Sequence, residues 1–172
     1  MNPSSGMELL KDIDVKSWAI CFSALMKKSS ELTQKLSERV ENPVFKVILR
    51  VVSLEHSRIA ELIKLIFEVE DVSEDAYYSS RCKKLLGEAI IDRIKQACAA
   101  AASIMASARS REDVDRLIAV LKEAHDLTKG MVLTLSKVAD WPLSRLLTYV
   151  ASILEQNSLL VRDLLEKAFE VV

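Results

Sequence analysis

Leu36-Ser37-Glu38-Arg39-Val40-Glu41-Asn42-Pro43 and Leu135-Ser136-Lys137-Val138-Ala139-Asp140-Trp141-Pro142 govern how this chain folds. Both stretches open on the same Leu-Ser pair, run through five residues and end on proline, and the two prolines lie 99 positions apart. A residue before proline is pushed out of the α region, whereas proline at the first helical position gives up only an N–H that would be unpaired anyway. Each proline therefore ends one helix and begins the next. The same offset pairs Val51, Ser53 and Leu65 with Val150, Ser152 and Leu164, so each half reads as a helical hairpin and the chain as a duplication.

On the N-terminal side, Val15, Trp18, Phe22, Leu25, Leu32 and Leu36 recur at helical spacing from Asp14 to about Glu41, with Lys27, Lys28, Glu31, Lys35 and Glu38 turned away. A second helix runs from Pro43 to about Val69. Ser73, followed by Glu74 and Asp75, reads as the cap and acidic first turn of a third, extending to about Ala108. Its half from Ala97 to Ser103 has almost no side-chain bulk, which invites close approach by a neighbour. Ser110-Arg111-Glu112-Asp113 resembles a capping box and opens a fourth helix, expected to end at Ala139. Asp140-Trp141-Pro142 then repeats the Asn42-Pro43 device, and a fifth helix reaches the C-terminus. Residues 1–13 read as a flexible leader, and 14–172 as one domain.

Composition agrees. The 172 residues are 50% hydrophobic and 28% charged, with only three Gly and three Pro, too little punctuation for the many short strands of a sandwich or barrel. Lys plus Arg number 24 against 25 Asp plus Glu, so the basic footprint of a nucleic-acid binder is missing. The longest charge-free run, Gln96 to Ala108, has 13 residues, short of the roughly 20 that span a membrane. Cys21, Cys82 and Cys98 are odd in number and form no CxxC pair. They read as reduced, buried thiols in a cytoplasmic protein.

The hairpin carrying Glu41-Asn42-Pro43-Val44-Phe45-Lys46 and Ala60-Glu61-Leu62-Ile63 resembles those of rubrerythrin-like proteins, in the ferritin-like superfamily of four-helix bundles. That resemblance implies an all-α bundle of two hairpins, residues 14–70 and 110–172, with an extra helix at 75–108 in the crossover. In the family each hairpin supplies a Glu from its first helix and a Glu-x-x-His from its second to a di-iron centre. Aligned on the prolines, those places hold Met26, His56 and Ile59 in the first hairpin, and His125, Glu155 and Ser158 in the second. Only Glu155 matches. The expectation is a non-catalytic bundle that has lost its ancestral metal site, carries no cofactor, binds neither nucleic acid nor membrane, and associates with itself or a partner.

Two other readings compete with it. The chain has only two histidines, and both fall on aligned ligand places beside Glu155. That is a two-His, one-carboxylate set able to hold a single iron, manganese or zinc ion, with Glu55 as an alternative carboxylate. Against it, both histidines sit at the flanks of their apolar stripes, where they would hydrogen-bond at the surface. Ala124-His125-Asp126-Leu127-Thr128-Lys129-Gly130 also resembles the helix of histidine phosphotransfer domains, which bears an exposed His. There Lys and Gly follow the His by three and four residues; here they follow by four and five. Glu55 and Asn157 lie near the centres of apolar stripes, so each needs a partner. Thr128 and Ser29 are expected to bond the carbonyl one turn back.

Overall fold

The computed structural model describes residues 14–70, 73, 76, 77, 79–108 and 110–170. The leader, Glu74 and Asp75 lie outside them. The described residues form six helices and no strand: α1 Val15–Arg39, α2 Pro43–Phe67, α3 Ser80–Leu86, α4 Glu88–Ser107, α5 Arg111–Ser136 and α6 Leu143–Glu170. The chain is all-α, and no described helix is long and apolar enough to cross a membrane.

Local chemistry accounts for most of the boundaries. Asp14 caps α1 by accepting the Ser17 N–H at 3.2 Å. Asn42 caps α2 by accepting from Val44 N–H at 2.9 Å, with Pro43 in the first helical position. The capping box at α5 is complete: Ser110 accepts from Asp113 N–H at 3.2 Å, and Asp113 accepts from Ser110 N–H at 3.1 Å.

The single helix expected over 75–108 is corrected. It begins at Ser80, where the Ser79 hydroxyl accepts from Cys82 N–H, and it breaks at Gly87, whose φ of +88° favours glycine. Trp141, unlike Asn42, has no side-chain oxygen to cap a helix. Residues 137–142 are accordingly non-helical, α5 stops at Ser136 rather than Ala139, and α6 starts at Leu143, after a cis Trp141–Pro142 bond.

Two apolar clusters make the core. One joins Trp18–Met26 of α1, Ile59–Phe67 of α2, Ile91 and Ile94 of α4, Met131–Leu135 of α5 and Leu147–Leu154 of α6. The other joins Val40, Phe45–Val52, Ala101 and Met105, Val114 and Leu117, and Val161 and Leu165. Each cluster takes opposite ends of successive long helices, so α1, α4 and α6 run one way and α2 and α5 the other. α1 packs on α2, α2 on α6, α6 on α5, and α5 on α4. α3 completes the ring at one end by packing on both α1 and α4. The Ala-rich half of α4 does not draw α1 close, and the seam between them stays open.

The expected reduced thiols are also corrected. Cys21 of α1 and Cys82 of α3 form a disulfide with Cα atoms 5.2 Å apart, inside the range that bridged cysteines occupy. Spacing along the chain could not show that α3 folds back onto the first half of α1. Cys98 alone is free, and it is exposed rather than buried.

Candidate functional site: a polar waist and an open cleft

Between the two apolar clusters every long helix changes character at one level. α1 presents Ser29, Ser30 and Thr33; α2 presents Ser53, Glu55 and His56; α4 presents Cys98; α5 presents His125 and Thr128; α6 presents Asn157. Most of these groups are matched within the waist. Ser30 and Ser53 each donate a hydroxyl to the other's backbone carbonyl, at 2.8 and 2.9 Å, fastening α1 to α2. Asn157 Nδ2 donates to Glu55 Oε2 at 3.2 Å. Thr128 donates to the Ala124 carbonyl at 2.9 Å, as expected. At Ser29 the bond runs the other way, its carbonyl accepting from Thr33 at 2.7 Å.

Of the two histidines only His125 is a buried residue. His125 is 8% exposed, and its Nδ1 lies 2.8 Å from the Leu121 carbonyl. A carbonyl only accepts, so Nδ1 carries the proton and Nε2 presents a lone pair. His56 retains some exposed surface, yet its Nδ1 is buried with no hydrogen-bond partner. The two ring centroids are 6.2 Å apart with planes inclined by 44°. Burial first, then the neighbouring His125, push the His56 pKa down to about 3. Burial also lowers that of His125. Both rings are neutral near pH 7.

Glu155 does not join them. It pairs with Lys129 and borders, with His125, Lys122 and Asp126, a shallow outer depression that His56 does not reach. Glu55 shares a small cavity with both histidines, but Asn157 and Arg58, the latter at 3.6 Å, engage it. Among the described residues no three His, Cys, Asp or Glu side chains gather to hold a metal ion. The phosphotransfer reading fails on burial, since it needs His125 exposed.

What sequence reasoning missed is the cleft. It occupies the seam between α1 and the α4–α5 pair, with α2 beneath, and holds about 680 Å³ including its solvent-filled mouth. Met26, His56 and His125 border it together, as does Cys98, which is exposed at its edge. The helical stripe of each residue was legible, but their convergence required the packing of four helices. No family model matches the chain, and neither curated proteins nor solved structures give a match.

Proposed function

We propose that this chain is a non-catalytic bundle of ferritin-like descent, its di-iron site lost, that acts by associating with a second copy of itself. The ferritin-like part is supported by helix direction: α1, α2, α5 and α6 run up, down, down, up, as one long crossover between two hairpins requires. It is also supported by Met26, His56 and His125, three of the six aligned ligand places, which border a single cleft.

The observation that carries association is an apolar outer face. Val47, Leu54 and Leu65 form one outward stripe on α2, with Leu54 70% and Leu65 74% exposed; Leu146, Tyr149 and Leu160 are exposed on α6 beside it. Scattered exposed apolar residues are ordinary, but two exposed apolar stripes on packed helices, broken on α2 by Arg58 and Glu61, favour burial against another surface. α2 and α6 run antiparallel and occupy equivalent places in the repeat, so the face has a rough internal twofold suited to an isologous dimer. Sedimentation velocity tests this: a dimer at micromolar concentration that becomes monomeric in the Leu54→Glu/Leu65→Glu variant is expected. A wild-type monomer at high micromolar concentration would overturn it.

A single iron, manganese or zinc ion between His56 and His125 keeps one supporting observation, their 6.2 Å ring separation. Metal content after growth with added Fe, Mn or Zn tests it, with stoichiometric metal absent from His56→Ala as its requirement. The cytoplasmic setting loses its argument from reduced thiols, because disulfides persist mainly in oxidising compartments.

A further inference from the structure

We propose that the cleft between α1 and the α4–α5 pair is a binding site for a small uncharged alcohol, its apolar body against the helices and its hydroxyl between His56 and His125. This inference does not depend on the association proposed above.

The chemistry of the walls selects the ligand class. Met26, Leu36, Ile94, Ala101, Met105 and Leu121 supply an apolar lining, and among the described residues no Asp, Glu, Lys or Arg borders the cleft. A carboxylate or ammonium entering it would lose hydration and meet no opposite charge, a large penalty. Past Leu36 and Met105 the seam continues into a second depression bordered by Phe45 and Ala108 but also by Arg39 and Glu41, so the uncharged stretch of the seam ends there.

The free polar capacity among the imidazoles fixes the functional group. Thr33 and Thr128 already donate to carbonyls of their own helices. His125 has spent its N–H on Leu121 and offers only a lone pair, while His56 Nδ1 is buried without a partner. An unpaired buried nitrogen is costly, and native interiors rarely leave one so. The rings make no direct hydrogen bond to each other; their centroids are 6.2 Å apart, and His56 Nδ1 is closed to solvent, so a hydroxyl reaches it only with a shift of the rings. A hydroxyl donates one hydrogen bond and accepts others, so it can donate to His125 and meet His56. An ether or ketone would leave the His125 lone pair without a donor from the ligand, and the Ser29 hydroxyl also borders the cleft as a further polar partner.

The test uses 1-octanol, octanoate and octylammonium as matched probes on the full chain near neutral pH. Titration calorimetry measures binding, and the alkylation rate of Cys98, the one free thiol, measures occupancy of the cleft. Octanol is expected to bind saturably and slow Cys98 alkylation, with the two ions at least about tenfold weaker. His56→Phe, which keeps the ring and removes its nitrogens, should weaken octanol about tenfold, the worth of one good hydrogen bond. Cys98→Phe, which adds bulk at the rim of the cleft, should weaken calorimetric binding. Equal binding of all three probes, no octanol binding at millimolar concentration, or octanol binding without Cys98 protection would each overturn the proposal. Those three outcomes are read on the wild-type chain, so they stand whether or not a variant folds.

Discussion

Asn157 of α6 donates a 3.2 Å hydrogen bond to the carboxylate of Glu55 on α2, joining the two halves of the repeat at the level where the apolar core is interrupted. Removing one partner leaves the other half-buried with its hydrogen bond unmade, which costs more than the bond contributes. Asn157→Ala should therefore destabilise the fold by about 1–2 kcal/mol, and Glu55→Leu/Asn157→Leu should fall within about 1 kcal/mol of wild type. Urea denaturation of the single and double variants, treated as a cycle, measures the coupling.

Acid should weaken the protein through its buried imidazoles. The folded-state pKa of His56 is about 3, far below the roughly 6.5 of an unfolded histidine. As pH falls through that window the unfolded chain takes up the proton first, so stability declines by up to about 1.4 kcal/mol per pH unit. His125 adds a slope of the same sign. Glu55 faces the pair from α2, while Lys122, Asp126 and Glu155 border the outer side of His125. Chemical denaturation between about pH 7 and pH 5 stays above ordinary carboxylate titration. A folded His56→Phe variant should show a shallower slope there, and an unchanged slope would exclude His56 as a source.

Reduction should cost more than either Asn157→Ala or Gly87→Ala. The Cys21–Cys82 bridge closes a separation of 61 residues, for which chain-entropy reasoning gives about 4 kcal/mol. The denaturation midpoint should drop on adding a phosphine reductant, and Cys21→Ser/Cys82→Ser should show the low midpoint without reductant. Coincident midpoints under all three conditions would mean that the bridge contributes nothing.

Gly87→Ala should strain the junction between α3 and the helix that follows it. At φ +88° any side chain is strained, and an added Cβ would lie 3.3 Å from Ile90 Cδ1. A loss of about 1–2 kcal/mol is expected, read as a lower thermal midpoint with unchanged helix content.

Most of the helices were legible before any packing was known, because the breaker scarcity, the two prolines, the Asn42 cap and the Ser110 box are local chemistry acting within a few residues. Gly87 escaped because Leu85, Leu86, Ile90 and Ile91 carry the apolar pattern across it, and a lone glycine does not by itself end a helix. The requirement that Glu55 and Asn157 find partners was also legible, since burial follows from the apolar stripe on which each sits. That they find each other was not, because their positions differ by 102 residues and meet only when α2 packs on α6. The Cys21–Cys82 bridge, the burial of His125 and of His56 Nδ1, and the open seam beside α4 belong to the same class. A helical stripe says which face turns inward. Which faces meet, at what height, and where two helices stay apart are settled by long-range packing, which no local pattern encodes.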